Sequence, residues 1–382
     1  MCSNSSTEAR PFRPFSRAGV ESLLDWFSKE SRTLPWRSDP TPYHVWVSEI
    51  MLQQTRVEAV LRYYERFLNA LPDVRSLAAA PEEQLMKLWE GLGYYSRARQ
   101  RKKAAAAVAE KYGGEFPRDP AELRKLPGIG PYTAGAIASI AFGIPEPAVD
   151  GNVLRVLSRV CGCGEDIRTP VARTRAEEAV RAMIPEDRAG GFAQALMEVG
   201  ALVCVPNGDP KCGLCPLSGE CAAFREGLTD SLPVRSGGRP RRVENRTVLL
   251  LLDGPRAAIR KRPGTGLLAG LYEFPNALGT LSREEAVSFA RKIGFQPLRT
   301  EPLPDSKHVF THVEWHMSGW LMEGYAETGP AGEELTFAGS EELKDVYALP
   351  SAFSAYRRIL SGLFREEKEP RRPSSNSNKN LR

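Results

Sequence analysis

The hydrophobic pattern of this chain changes its period once, and this change limits the architectures open to it. Residues 18–226 carry apolar side chains three and four positions apart, as in GVESLLDWFSKE and PEEQLMKLWEGL, which is the period of amphipathic helices. After residue 246 the runs TVLLLLD (247–253) and HVFTHVEWHMSGWLM (308–322) are rich in β-branched and aromatic residues, as strands are. The sequence therefore predicts a multidomain protein, in which an all-α domain precedes an α+β domain.

The residues around these two patterns have the composition of exposed segments. Between the domains, GLTDSLPVRSGGRPRRVEN is rich in Gly, Pro and Arg, which is typical of a linker. Within the second domain, REEAVSFARKIG (283–294) and SAFSAYRRILSGLF (351–364) have helical spacing. The predicted segments are a flexible N-terminal arm (1–17), the helical domain (18–226), the linker (227–245), the α+β domain (246–364) and a disordered basic tail (365–382).

Composition narrows the class of protein further. Hydrophobic residues make up 42% of the chain, and none of the apolar runs approaches the ~20 residues that a membrane-spanning helix needs. The first residues, MCSNSSTEARPFRPFSR, lack the apolar stretch of a secretory signal, so we expect a cytoplasmic protein without a membrane segment. The net charge of +5 is a weak indication of nucleic-acid binding, with basic residues concentrated at 96–104, at 235–242 and in the tail.

Four of the seven cysteines lie within 18 residues. Cys204, Cys212, Cys215 and Cys221 are separated by seven, two and five residues. In a reducing compartment such a group predicts a metal site rather than disulfides. Four thiolates can bind either a [4Fe–4S] cluster or a structural zinc ion. Zinc ribbons usually bring two Cys-x-x-Cys pairs and this segment has one, so the spacing slightly favours the cluster.

Residues 119–142, DPAELRKLPGIGPYTAGAIASIAF, predict two short helices joined by a tight turn. The turn contains Gly128 and Gly130, whose backbone N–H groups, with the positive end of the second helix, can hold one DNA phosphate. Such a helix-hairpin-helix binds the DNA backbone without recognising its sequence. An ordinary helix–helix turn with a glycine cap explains this segment equally well.

Two carboxylates stand in contexts that suggest different protonation states. Glu49 lies among the apolar residues of VWVSEIML, where burial would favour the neutral acid, although an exposed position on the polar face of a helix is the alternative. Asp150 opens DGNVLRVL, and its simplest role there is to cap a helix. As a pair, one carboxyl group could protonate a leaving base while the other stabilises an oxocarbenium ion.

Eight segments carry a resemblance to a known family. They are LPWR (34–37), SEIMLQQT (48–55), EGLGYYSRAR (90–99), LPGIGPYTAGAI (126–137), VDGNVLRVLSR (149–159), QALMEVGALVC (194–204), KCGLCP (211–216) and GLLAGLYEFP (266–275). In this order they resemble the endonuclease III superfamily of helix-hairpin-helix DNA glycosylases and, within it, the adenine-specific MutY family. The resemblance covers about residues 18–360. It implies an enzyme of base excision repair that removes adenine opposite 8-oxoguanine or guanine in double-stranded DNA.

The resemblance also implies roles for individual residues. Glu49 would protonate N7 of adenine, and Asp150 would stabilise the oxocarbenium ion or form a covalent sugar intermediate, with Tyr132 and Asn152 beside them. A [4Fe–4S] cluster would be the cofactor, bound within the loop 204–221 by the four cysteines named above. The residues that would enclose the extruded adenine are Arg32, Trp36, Arg37, Leu52, Gln194 and Glu198, and those that would insert beside the opposite base are Gln54 and Tyr94.

The second domain resembles a Nudix fold. REEAVSFARKIG lacks the paired Glu residues that a Nudix hydrolase needs for magnesium, so we predict that this domain recognises the opposite base instead. Phe310, Thr311 and His312 would do so, standing where Phe-Ser-His is common in the family. The chain therefore departs from the usual family pattern at Thr311. It departs a second time after Cys204, where the gap to the next cysteine has seven residues and the usual pattern has six.

Other functions remain open at this point. A bifunctional endonuclease III-type glycosylase and lyase would use a lysine where this chain has Tyr132. A non-catalytic iron–sulfur DNA-binding protein would not need both Glu49 and Asp150. A Nudix nucleotide hydrolase would need the missing Glu residues. We expect a monomer that works at the nucleoid.

Overall fold

The structure is a computed structural model that describes residues 10–53, 55–237, 240–327 and 335–366. The described residues form two compact units. The first unit contains the chain up to Ala80 and from Arg97 to the linker, and it is helical. The second contains Pro81–Ser96 and the chain after the linker, and it is built around a sheet. The predicted order of an all-α domain and an α+β domain is confirmed.

Six of the described helices before the linker begin at a residue whose side chain accepts a hydrogen bond from one of their first backbone N–H groups. Ser16, Thr41, Asp119 and Thr169 each accept a hydrogen bond from the backbone two or three positions later. The helices are α1 (Arg17–Glu30), α2 (Pro35–Ser38), α3 (Pro42–Leu52), α4 (Val57–Ala70), α5 (Val74–Ala79), α6 (Glu82–Leu88), α7 (Ser96–Lys111), α8 (Pro120–Arg124), α9 (Pro131–Ala136, continued by a π-helical turn at Ile137–Ala141), α10 (Gly151–Cys161), α11 (Pro170–Arg181), α12 (Ala189–Leu202) and α13 (Ala222–Glu226). Single 3₁₀ turns lie at Cys212–Leu214 and Ser218–Glu220.

Helix α10 lies at the centre of the first unit. Each of its residues from Val153 to Cys161 is buried, and it packs against α12. Gly200 on α12 allows this close approach, because a Cβ atom there would lie 2.6 Å from Cβ of Asn152. The helix that carries Asp150 and Asn152 is therefore held on all sides by the core.

Two segments that we predicted to be exposed are packed in the structure. Phe12 and Phe15 belong to the core of the first unit, so residues 10–16 of the predicted flexible arm are fixed. Leu232, within the predicted linker, is buried in the same core. In both segments the composition is mainly polar, but a few apolar side chains are buried in the core and hold the backbone in place.

The second unit is a mixed sheet with helices on both faces. Its elements are β1 (Arg242–Asp253), β2 (Arg256–Lys261), β3 (Tyr272–Glu273), β4 (Asn276–Leu278), α14 (Arg283–Lys292), β5 (Phe295–Val309), β6 (Val313–Ala326), β7 (Thr336–Ala338), α15 (Ser340–Asp345) and α16 (Ser354–Glu366), with a 3₁₀ turn at Ser351–Phe353. The strand order is β3-β2-β1-β6-β5, with β4 paired to β1 and β7 to β2. β1 and β6 are parallel, and the other pairs are antiparallel.

The continuous apolar run of β1 reflects its central position. Val248 and Leu250 pack into the same core as Leu360 of α16, and Leu249 and Leu251 pack into the core that contains α14. A strand covered on both faces needs apolar residues at every position rather than at alternate ones.

Three sequence predictions differ from the structure in their bounds. β1 begins at Arg242, inside the predicted linker. The single strand-like run 308–322 divides at Phe310–His312, where a turn joins β5 to β6. The predicted helix at 351–364 opens with a 3₁₀ turn, whereas the helix predicted at 283–294 is α14. Among the helices of the described ranges, none is both long and apolar enough to cross a membrane.

The segment Pro81–Ser96 lies within the predicted helical domain but packs with the second unit. Arg357 Nη1 donates a hydrogen bond of 2.5 Å to Glu90 Oε1, which also accepts one from the backbone N of Leu349 at 3.2 Å. Lys87 Nζ donates to the carbonyl oxygen of Tyr347 at 3.0 Å. These contacts attach the segment that carries Tyr94 to the sheet domain.

Candidate active site

One cavity of the first unit brings together ten of the predicted site residues. It has a volume of about 1070 Å³ and opens among α2, α3, α9, α10 and α12. The predicted residues that line it are Arg32, Trp36, Arg37, Glu49, Leu52, Tyr132, Asp150, Asn152, Gln194 and Glu198. A cleft that collects titratable and apolar groups from distant parts of a chain is the usual form of a small-molecule or base pocket.

Glu49 is buried on α3, with 6% of its surface exposed. Its Oε2 accepts a hydrogen bond from the hydroxyl of Tyr132 on α9. The pKa of Glu49 is raised to about 7. Burial is the main cause, the Tyr132 hydrogen bond and the Arg37 charge oppose the rise, and the negative charge of Asp150 adds to it. Near neutral pH this carboxyl group can therefore hold a proton and release it.

Asp150 is both the cap of α10 and a wall of the cavity. Its Oδ1 accepts from the backbone N of Val153 at 2.8 Å, and its Oδ2 accepts from Asn152 Nδ2 at 2.7 Å. Burial raises the pKa of Asp150, but these hydrogen bonds favour its ionised form and oppose the rise. The two carboxyl groups thus have different surroundings: among the described residues, Glu49 accepts a hydrogen bond from the Tyr132 hydroxyl, whereas Asp150 accepts hydrogen bonds from N–H groups of Asn152 and Val153.

Glu198 anchors two arginines at the cavity wall. The side chain is 1% exposed and accepts hydrogen bonds of 2.7–3.0 Å from Arg32 and Arg37, including one from the backbone N of Arg32. Burial alone would raise the pKa of Glu198, but the bonds from both guanidinium groups outweigh it and lower the pKa to about 2. Because its oxygens are occupied, Glu198 acts on the pocket by fixing Arg32 and Arg37.

Sequence reasoning missed Arg155, which connects the catalytic cavity to the cysteine loop. Its Nη2 donates to Asn152 Oδ1 at 2.9 Å and to the carbonyl oxygen of Gly200 at 2.6 Å, and its Nε donates to the carbonyl oxygen of Cys204 at 2.7 Å. Met197 was also missed, and its Sδ lies 3.8 Å from the Tyr132 hydroxyl. The position of Arg155, three residues after Asn152 on one helix, was the available signal.

The four cysteines line a second, small cavity of the first unit. Burial raises the pKa of Cys215 to about 12 and raises the pKa of Cys212 and Cys221 as well. Buried thiols become ligands only as thiolates, so they need a cationic partner, and Arg159 Nη1 lies 3.4 Å from Cys204 Sγ. Four cysteine side chains that line one cavity are ligands of the type that a thiophilic metal group needs. In the part of the chain that the structure describes, no three metal-ligating side chains converge on a single-ion site.

The predicted hairpin is formed by α8, a turn and α9. Gly128 has φ of 75°, and a Cβ atom there would lie 2.8 Å from Cβ of Gln100, so glycine is required on both counts. Gly130 caps α9, and Pro131 takes the first helical position, where its missing N–H costs nothing. The turn therefore has the form that the helix-hairpin-helix prediction requires.

The remaining predicted site residues lie in the second unit, except Gln54, which lies outside the described residues. Phe310 is half-buried, with its ring 4.9 Å from that of Trp315, whereas Thr311 and His312 are exposed at the turn between β5 and β6. The hydroxyl groups of Tyr94 and Thr311 share a hydrogen bond of 2.7 Å. Tyr94 has φ of 47°, a conformation that residues with side chains rarely adopt. The side chains of Tyr94 and Thr311 therefore form a hydrogen-bonded pair.

Comparison with known proteins identifies both domains. The sequence matches the HhH-GPD superfamily of base excision DNA repair proteins over residues 47–182 and the NUDIX domain over residues 247–358. It is 35% identical over 371 residues to the adenine DNA glycosylase of Mus musculus, covering 81% of this chain and 72% of that protein. It is 34% identical over 407 residues to that of Homo sapiens, covering 89% and 73% respectively.

A solved structure agrees with these matches. The structure of a thermostable thymine-DNA glycosylase superposes with a TM-score of 0.50 at 29% identity, covering 54% of this chain and 95% of that one. The predicted fold class and family resemblance are thereby confirmed, with a helix-hairpin-helix glycosylase domain followed by a Nudix-like domain. The chain belongs to the adenine DNA glycosylase family and is a DNA glycosylase of base excision repair, a hydrolase.

Proposed function

We propose that this enzyme hydrolyses the N-glycosidic bond of adenine opposite 8-oxoguanine or guanine in duplex DNA, and that it lacks lyase activity. The observation that carries the proposal is the pairing of Glu49 and Asp150 in one cavity, one carboxyl group with its pKa raised to about 7 and the other hydrogen-bonded by two N–H groups. We also propose that the enzyme is a monomer and that it acts at the nucleoid in the cytoplasm.

The two carboxyl groups divide the chemistry. Adenine is a poor leaving group as an anion, so Glu49 donates its proton to N7 as the glycosidic bond breaks. The electron pair of the bond leaves with the base, and the sugar develops positive charge that the Asp150 carboxylate stabilises. Tyr132 holds the Glu49 carboxyl group in position, and Asn152 does the same for Asp150. Glu49, now ionised, can then accept a proton from the attacking water.

The walls of the cavity suit an extruded purine. Trp36 and Leu52 supply apolar surface, and Gln194 supplies an amide that can form hydrogen bonds with a base edge. Arg32 and Arg37 are held by Glu198, so their remaining donors and planar faces are pre-positioned. A pocket whose polar groups are fixed before binding loses little conformational entropy when the base enters.

Tyr132 supports a monofunctional reaction. A lyase of this superfamily would place a lysine at this position of the hairpin helix and form a Schiff base with the sugar. A phenol cannot form that bond, and the Tyr132 hydroxyl is already committed to Glu49. The product is therefore an intact strand with an abasic site.

The second unit is proposed to recognise the base opposite adenine. The excised adenine is undamaged, so the signal for removal has to come from the other strand. 8-Oxoguanine differs from guanine by an oxygen at C8 and a proton at N7, and the exposed Thr311 hydroxyl and His312 imidazole can form hydrogen bonds with these atoms. Phe310 fixes the turn by packing on Trp315, and Tyr94 orients Thr311.

We propose that Cys204, Cys212, Cys215 and Cys221 bind the predicted [4Fe–4S] cluster. The four sulfur ligands and their shared cavity support the assignment. When bound, the cluster supplies the positive charge that keeps buried thiolates ionised and cross-links the loop 204–221. Arg159 lies beside Cys204 as a second positive partner. The chain's own residues carry the hydrolysis described above.

Strand cleavage after alkali treatment tests the proposal. Duplexes with adenine opposite 8-oxoguanine, guanine, cytosine and thymine are incubated under single-turnover conditions, and Glu49→Gln serves as the inactive control. We expect fast abasic-site formation opposite 8-oxoguanine and guanine and almost none opposite thymine. Equal cleavage opposite all four bases would contradict the proposed specificity. Breakage without alkali, or activity on oxidised pyrimidines instead, would favour the endonuclease III-type alternative.

A further inference from the structure

The linker stays attached to the first unit well beyond the last helix of that unit. Backbone groups of Leu232, Val234 and Ser236, at alternate positions, are each hydrogen-bonded to the helical domain. The three bonds are Arg159 Nε to Leu232 O at 2.9 Å, Ile167 N to Val234 O at 3.2 Å and Ser236 N to Asp166 Oδ2 at 3.0 Å. Arg168 also donates to the carbonyl oxygen of Ser236. The backbone on both sides of Arg235 is therefore fixed.

Arg235 lines the cavity that contains Glu49 and Asp150, and its side chain is exposed. A residue that we predicted to lie in an exposed linker is thus part of the catalytic cavity.

Of the other arginines that line this cavity, Arg56 is exposed like Arg235, and the remaining four are committed to protein groups. Arg32 and Arg37 bind Glu198, Arg155 binds two carbonyl oxygens, and Arg173 Nη1 donates to the carbonyl oxygen of Val149 at 2.9 Å. Within the described ranges, the Arg235 side chain makes no hydrogen bond or ion pair. An anchored arginine with all five donors available stands at the opening of a site that receives part of a polyanion.

We propose that Arg235 binds a DNA phosphate next to the extruded nucleoside. To bring adenine into the cavity, the enzyme has to rotate a nucleotide out of the duplex, which leaves the flanking phosphates at the cavity opening. A guanidinium group matches two phosphate oxygens with parallel hydrogen bonds. The anchored backbone lowers the entropy lost in making this contact. The inference rests on the proposed action of this cavity on a nucleotide in duplex DNA.

Salt dependence of binding tests whether Arg235 contacts a phosphate. The full-length chain is titrated with a duplex whose target deoxyadenosine carries a 2′-fluorine, which disfavours the oxocarbenium ion and prevents cleavage. One phosphate contact contributes about 0.9 to the slope of log Kd against log salt, so Arg235→Gln should weaken binding about eightfold near 0.1 M salt and hardly at all near 1 M. Arg235→Lys should keep most of the slope. The matched control is Arg188→Gln, which removes an exposed arginine paired with Glu21.

Neutral phosphates locate the contact. Each of the two phosphates flanking the target is replaced in turn by an uncharged methylphosphonate. At one of these positions, the neutral linkage should weaken wild-type binding by about the factor that Arg235→Gln costs on the unmodified duplex. It should not weaken the binding of the variant any further. The proposal is overturned if Arg235→Gln behaves like Arg188→Gln, or if both neutral duplexes weaken wild type and variant alike. A separate titration compares the affinity of the wild-type chain for mispaired and for fully paired duplexes, which measures its preference for the mispair.

Discussion

Replacing Glu49 by Gln should stop base release and, at high pH, stabilise the protein. The amide keeps the shape of the side chain and can accept the Tyr132 hydrogen bond, but it cannot donate an acidic proton. It also cannot ionise inside the cavity wall. The substitution therefore separates two properties of Glu49: the effect of its buried charge on stability and the role of its proton in base release.

The magnitude follows from the pKa of Glu49. A rise from the ordinary 4.5 to about 7 corresponds to about 3 kcal/mol, because one unit is worth about 1.4 kcal/mol. The folded state binds this proton more tightly than the unfolded state, so its contribution to stability is complete below pH 4.5 and is lost as pH rises through about 7. Between about pH 5 and about pH 8.5, the unfolding free energy of Glu49→Gln minus that of wild type should rise by about 2 to 3 kcal/mol.

Glu198→Gln is the matched control, because Glu198 is a buried glutamate of the same cavity with the opposite pKa shift. Its pKa is lowered to about 2, so its stabilisation is present above pH 4.5 and is lost only as pH falls through 2. Glu198→Gln should therefore destabilise the protein by about 3 kcal/mol, with the same value at both ends of the range.

Urea denaturation followed by helical circular dichroism measures both effects, and single-turnover assays follow adenine release over the same pH range. Wild-type release should fall as pH rises above about 7, where Glu49 loses its proton. A stability difference for Glu49→Gln that does not change with pH would refute the raised pKa. Near-normal base release by that variant would show that another group is the acid.

Three further predictions concern other parts of the enzyme. Borohydride should not trap the wild-type chain on DNA, whereas Tyr132→Lys should give some covalent complex, and efficient wild-type trapping would contradict a monofunctional reaction. Purified protein should contain about four irons per chain, as a cubane cluster requires, and Cys215→Ser should lower iron and visible absorption together; stoichiometric zinc would exclude the cluster. Thr311→Ala, which removes the hydrogen bond to Tyr94, should reduce the preference for 8-oxoguanine over guanine about fivefold, and Thr311→Ser should keep it.

Local signals in the sequence were sufficient for the start of α10 at Asp150, for a strand over 247–253 and for the order of the motifs. Asp150 caps α10 because its oxygen reaches a backbone N–H three residues away, a contact that any chain with this sequence can make. The apolar run of β1 predicted a strand for a similar reason, since β-branched and aliphatic side chains favour extended backbone. Such signals depend on a few neighbouring residues.

Only the tertiary structure decided which distant residues meet. Glu198 binds Arg32 across 166 positions in sequence, and no local pattern marks that pair. The raised pKa of Glu49 likewise depends on burial by the whole domain and on the position of Asp150. The contacts of the segment 81–96 and of Arg235 were likewise not marked in the sequence, because the composition of a segment does not show which surface it contacts. The hydrogen bond that Arg357 donates to Glu90 and the one that Asp166 accepts from the backbone N of Ser236 join residues far apart in sequence and determine those positions.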